Sequence, residues 1–126
     1  METVLHLTEL SSWERAQTAG EYRQSTRGAT LAEVGFIHCS SPGQLPVVAG
    51  HIYSDFSGEL VVLELDAAAI AAAGVEIRLE DGDDGELFPH LYGVLRTEWV
   101  RKTHRAAMVA GKLSVPGLER RTGSIK

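Results

Sequence analysis

The amino-acid sequence predicts one α+β domain, and three observations carry the prediction. Short runs with two-residue apolar alternation are interleaved with segments that open on helix-capping residues. Their spacing lacks the regular strand–helix–strand repeat of a parallel sheet. The length, 126 residues, suits one domain and is short for two. At 44% hydrophobic and 23% charged residues, the composition is that of a globular chain and excludes wholesale disorder. The domain is expected over residues 1–114, with residues 115–126 as a weakly patterned, partly disordered tail.

Val4-Leu5-His6-Leu7-Thr8 reads as a strand, with Leu5 and Leu7 on one face and Val4, His6 and Thr8 on the other. Ser11 with Glu14 forms a capping-box pattern for a helix that Gly20 stops. Thr30 with Glu33 repeats the pattern and opens a short helical turn that closes at Gly35. A strand over Phe36-Ile37-His38-Cys39-Ser40 follows directly. Ser41-Pro42 suits an N-cap followed by proline at the first helical position, for a helix running through Pro46 toward Tyr53. Glu59–Asp66 is apolar on both faces and is expected at the centre of a sheet. Asp66 caps an alanine-rich helix that ends at Gly74, Val75–Leu79 is a strand, and Asp81-Gly82-Asp83-Asp84-Gly85 is a loop by composition. Pro89 marks the strand Phe88–Val94 as an edge or as a strand start, and Thr97–Thr103 is the last strand.

Charge and cysteine usage narrow the function classes. The net charge is −5, with four basic and fifteen acidic residues up to Leu95 but eight basic and two acidic from Arg96 onward. Without interleaved aromatic residues, the basic third reads as neutralising the acidic part rather than as a nucleic-acid interface. The one cysteine, Cys39, excludes an internal disulfide and fits a reducing cytoplasm. Met1-Glu2-Thr3 lacks the basic and apolar regions of a signal peptide, and no apolar run approaches the ~20 residues that cross a bilayer. A cytoplasmic protein without a membrane partner is the expectation.

Three histidines stand out. Alternation places His38 on one face with Phe36 and Ser40, His90 with Phe88 and Tyr92, and His6 with Thr8, each opposite apolar neighbours. Solvent faces usually carry Lys, Glu and Thr, so the set is read as one shared polar cleft. Metal spacings such as H-E-x-x-H are absent and no metal is expected, with convergence of the three histidines on one ion as the alternative. Cys39 beside His38 points the opposite way on a strand and is a small core residue rather than a nucleophile. Ser40 lacks a nucleophile elbow, no glycine-rich phosphate loop occurs, and His51 and His104 are expected at the surface.

Gly35-Phe36-Ile37-His38-Cys39-Ser40 and Phe88-Pro89-His90-Leu91-Tyr92-Gly93 resemble the two signatures of the bacterial family catalogued as domain of unknown function 952. Leu5-His6-Leu7-Thr8, the Trp13 helix, Gly20, Tyr22, Gln44, the Tyr53 region and Glu80 also match, so the resemblance spans roughly residues 4–103. That family is similar in fold to ADP-ribosyltransferases and RNA 2′-phosphotransferases, which implies two small, mostly antiparallel sheets around a cleft, with flanking helices. The resemblance implies NAD or an ADP-ribosyl compound as ligand, with NAD a substrate. His6 then grips a ribose hydroxyl, with Thr8, Phe36, Ser40, Phe88 and Tyr92 binding substrate beside it. His38, His90 and Glu80 are the implied catalytic residues. Protein-modifying transferases place a glutamate on the third motif strand, where this chain has His90.

Three functions follow as expectations: a nucleotide-binding cleft with transferase or hydrolase activity, a non-catalytic binding module for a small molecule or protein, and a metal-dependent hydrolase.

Overall fold

The N-terminal alternation becomes β1 (Val4–Glu9) in a computed structural model that describes residues 3–82 and 85–117. The chain continues through α1 (Leu10–Ala19), β2 (Glu21–Tyr22), β3 (Gln24–Thr26), β4 (Ala29–Thr30), α2 (Leu31–Val34), β5 (Ile37–His38) and α3 (Leu45–Ile52). It then forms β6 (Leu60–Leu65), α4 (Ala67–Ala72), β7 (Glu76–Asp81), β8 (Leu87–Tyr92) and β9 (Leu95–Arg96). A 3₁₀ turn (Thr97–Trp99), β10 (Val100–Val109) and β11 (Lys112–Ser114) complete the described elements. The fold is α+β, and every strand pairing is antiparallel.

The larger sheet has the order β1-β6-β10-β11 and the three-stranded sheet the order β5-β8-β7, with two-stranded β2-β9 and β3-β4 alongside. β6 lies inside its sheet and is buried on both faces, as its apolar pattern requires. Val61, Leu63 and Leu65 face one core with Trp13 of α1, Ile70 of α4, and Ile37, Cys39 and Leu91 from the smaller sheet. Leu60 and Val62 face a second core closed by Leu45, Ala49 and Tyr53. The sheets are joined at a bridge between Leu5 and Ser40, whose backbone amides and carbonyls exchange hydrogen bonds of 2.8 Å in both directions.

Several local expectations hold. Thr30 and Glu33 form a reciprocal capping box, and Gly35 ends α2 at φ 100°, a left-handed conformation that favours glycine. The Asp66 side chain accepts from Ala69 N–H and caps α4.

Others are corrected. α1 starts at Leu10, not at a Ser11 cap; β1 runs on to Glu9 beside β6, and the carbonyl of Glu59 accepts the Leu10 N–H. α3 begins three residues after Pro42, with Pro46 in its first turn, where no intrahelical donor is missed. β8 is the central strand of its sheet rather than an edge. A strand residue directs its N–H and C=O to the same side, and the Pro89 carbonyl accepts from Cys39 N–H at 2.9 Å. The missing Pro89 donor therefore falls on the β5 side, beyond the two-residue ladder, and the β7 pairing is intact.

The last long strand is β10, which exceeds the expected Thr97–Thr103 because β6 pairs with it as far as Ala106. His104 is not a surface residue; its Nε2 lies 2.5 Å from Glu64 Oε2, both side chains nearly buried. Val115, expected to open the tail, is buried in the second core, while residues 118–126 lie outside the described residues, as do Asp83 and Asp84 of the acidic loop. Among the described residues no helix is long and apolar enough to cross a membrane.

Candidate functional site

The register of the three-stranded sheet builds the site. His38 of β5 stands opposite His90 of β8, and β7 places Glu76 opposite Tyr92, Arg78 opposite His90 and Glu80 opposite Phe88. Directly opposed residues share a face, so these side chains form one polar and aromatic surface, while Ile37, Ile77, Leu79, Pro89 and Leu91 take the other. Ile37 and Leu91 are fully buried there, which anchors the strands and fixes the register of the polar face.

Within this face the side chains form a hydrogen-bonded chain. Glu80 Oε1 accepts from the Tyr92 hydroxyl at 2.6 Å and stands 2.8 Å from His90 Nδ1. His90 Nε2 lies 3.3 Å from His38 Nδ1. A carboxylate only accepts, so His90 carries its proton on Nδ1 and, when neutral, accepts on Nε2 from His38 Nδ1–H. The lone pair of His38 Nε2 is then the outer end of the chain. The Tyr92 and His90 hydrogen bonds hold the Glu80 carboxyl below the usual carboxylate range. Burial, and then the nearby His90, lower the pKa of His38, so its imidazole is neutral at neutral pH. The hydrogen bond to Glu80 raises the Tyr92 phenol.

Aromatic rings enclose the chain. Phe36 stacks on His90 with centroids 3.9 Å apart and planes 14° from parallel, covering an imidazole that is 5% exposed. Phe88 lies 5.5 Å from the His38 ring and Tyr92 lies 5.4 Å from Phe36. Arg78 places its guanidinium 4.4 Å above the Tyr92 ring and pairs with Glu76 at 2.8 Å, setting a cation beside the carboxylate end. The Phe88 ring also lies over Gly82, where a Cβ would overlap it. Gly82→Ala is therefore expected to push Phe88 away from His38 and cost about 1–3 kcal/mol, read as a lower urea midpoint with unchanged m-value.

Of the residues expected in the cleft, the structure gathers Phe36, His38, Glu80, Phe88, His90 and Tyr92. It holds His6, Thr8 and Ser40 apart, all three 2% exposed. His6 is not on an open face: its Nδ1 lies 2.6 Å from the carbonyl oxygen of His38 and its Nε2 lies 2.7 Å from the Tyr22 hydroxyl. The Tyr22 oxygen is 2.8 Å from Thr8 Oγ1. Burial lowers the His6 pKa to about 4, so the ring is neutral; it donates from Nδ1 to the carbonyl and accepts on Nε2 from Tyr22. His6 thus supports the backbone of His38 from inside the core.

Glu80 lies one residue past the expected strand Val75–Leu79; β7 runs to Asp81 and places it as the carboxylate of the chain. Gln44, one of the residues that carry the family resemblance, is a structural support. It donates to the carbonyl of Leu87 at 2.7 Å and to Glu86 Oε2 at 3.0 Å, tying the start of β8 to α3. Cys39 is 1% exposed and burial pushes its thiol up to about 12, as suits a core residue. Among the described residues no group of three or more His, Cys, Asp or Glu side chains is placed to hold a metal ion. Both His90 nitrogens and both His6 nitrogens already face protein partners.

A family model described as "Protein of unknown function (DUF952)" matches residues 7–103. The chain belongs to the DUF952 family. The matched span contains the whole Glu80–His90–His38 chain and begins one residue after His6. The crystal structure of protein CC0527 from Caulobacter crescentus is similar at 23% identity and a TM-score of 0.76, covering 96% of this chain and 98% of that one. The solution NMR structure of CC0527 is similar at 24% identity and a TM-score of 0.71, covering 96% and 97%. Likeness at this identity establishes a shared fold. No curated protein matches the chain.

Proposed function

We propose that the polar face of the β5-β8-β7 sheet binds a nucleotide-like ligand of the NAD or ADP-ribosyl class and that His38 exchanges a proton with it. The observation that carries this reading is the chain from Glu80 through His90 to His38, with contacts of 2.8 and 3.3 Å. A carboxylate behind two imidazoles lets His38 Nε2 take a proton while the positive charge is shared toward Glu80. The ligand class is supported by membership of the DUF952 family, which is similar in fold to ADP-ribosyltransferases. The Arg78 cation and the Tyr92 and Phe88 rings around the face suit a phosphate and a planar base.

In the reaction, an acceptor hydroxyl or water attacks the ribose carbon that bears nicotinamide. The carbon–nitrogen bond breaks with its electron pair passing to the nicotinamide nitrogen, through an oxocarbenium-like state. His38 Nε2 receives the acceptor's proton. Where transferases carry a carboxylate on the third motif strand, this chain carries His90, and Glu80 supplies the negative charge from the neighbouring strand.

Thermal-shift measurements with NAD and ADP-ribose, together with an assay for released nicotinamide, test the proposal. A rise in melting temperature with wild-type protein, retained in His38→Ala while nicotinamide release is lost, is the expected result. No shift at millimolar ligand and no nicotinamide released would overturn the ligand class. A shift without turnover in the wild type would make the face a binding module.

A further inference from the structure

A second place in the fold has the construction of a ligand site. α1, the β2–β3 segment and α2 line an open cleft of about 510 Å³, within the range that holds small organic ligands. None of its lining residues belongs to the histidine face. Ala16, Ala19, Leu31 and the 2% exposed Tyr22 form its apolar part. Its walls are held in place: Gly20 ends α1 in the left-handed conformation, and the Thr30–Glu33 capping box opens α2.

The rim is cationic. Arg15 and Arg23 both line the cavity with Glu21, and Glu21 pairs with Arg23 at 2.9 Å. Arg23, Arg27, Arg78, Arg96 and Arg105 each hold a carboxylate. Arg15 instead donates to the hydroxyl of Ser12 at 3.2 Å, and among the described residues it holds no carboxylate. Two guanidinium groups against one carboxylate leave a local positive charge on a chain of net charge −5. A guanidinium fork pairs best with a planar or tetrahedral oxyanion, and an apolar floor beside it selects an oxyanion attached to a hydrophobic body.

We infer that this cavity binds a small organic anion, with its carboxylate or phosphate on Arg15 and Arg23 and its apolar body against Ala16, Tyr22 and Leu31. The site is separate from the histidine face. Tyr22 links the two: it lines the cavity, and its hydroxyl bonds the His6 that supports His38.

Benzoate and phenyl phosphate, which share a ring and differ in the oxyanion, are the probes for the full chain. Saturable NMR shifts at the Arg15 side chain and the Tyr22 ring are expected with at least one, and the tighter binder identifies the oxyanion. Arg15 lies on the outside of α1, so Arg15→Ala is expected to fold normally and to weaken binding by about tenfold or more. His38→Ala is expected to leave this binding unchanged, so failure at the histidine face and failure here are distinguishable. Absence of saturable shifts with both probes at millimolar concentration, or equal affinity in Arg15→Ala, would overturn the inference.

Discussion

His6→Ala is expected to lower the unfolding free energy by about 3–5 kcal/mol, a large part of the 5–15 kcal/mol typical of a domain. The ring is fully enclosed and joins the carbonyl of His38 to the Tyr22 hydroxyl. Removing it opens a cavity and leaves an acceptor and a hydroxyl unpaired in the core. Tyr22→Phe keeps the ring volume and removes only the hydroxyl, so a smaller loss of about 1–2 kcal/mol is expected. Urea denaturation at neutral pH measures both.

The pH dependence separates the titration of His6 from its packing. Its pKa falls from 6.5 in the unfolded chain to about 4 in the fold because burial disfavours the charged ring. Between these values the unfolded chain binds more protons, so the stabilisation is complete above pH 6.5 and is lost as pH falls toward 4. At about 1.4 kcal/mol per pH unit the loss amounts to about 3 kcal/mol, and it is absent in His6→Ala. Equal slopes for the wild type and the variant across that window would contradict the assignment.

His6 also shows what alternation along a strand can and cannot disclose. The face of each motif residue was legible: His38 and His90 lie on one polar face because Ile37 and Leu91 have to enter the core. Depth was not legible, because burial of the His6 face depends on Tyr22, sixteen residues away in sequence. Glu80 was hidden by composition, since the acidic residues after it suggest solvated loop, whereas cross-strand pairing as far as Asp81 and Leu87 extends the hairpin past it. Pro89 signalled an edge, yet a central strand accommodates it where the ladder on one side has ended. The second part of β10, from His104 to Val109, went unread because partnership with β6 is a long-range property. Local rules did well where the partner is local, as at the Thr30–Glu33 box and the Asp66 cap.

Glu80→Gln is the decisive substitution for the histidine face, because it keeps a side chain of nearly the same shape and removes one charge. The glutamine oxygen can still accept from His90 Nδ1, so a purely structural role for Glu80 would survive the change. An electrostatic role would not. A carboxylate at the inner end of the chain favours a proton at its outer end, so removing the charge lowers the proton affinity of His38. NMR titration of the His38 carbon-bound protons is expected to show a lower pKa in the variant than in the wild type. Proton transfer at His38 is then expected to slow by about 10–100-fold, against about 10²–10⁴-fold for His38→Ala. The sign also fixes the pH profile. Burial already places the pKa of His38 below 6.5, so base activity is lost as pH falls through that lowered value. In Glu80→Gln this acidic limb moves to still lower pH while the plateau rate drops. An unchanged His38 titration would show that Glu80 does not act on His38, and this readout needs no substrate.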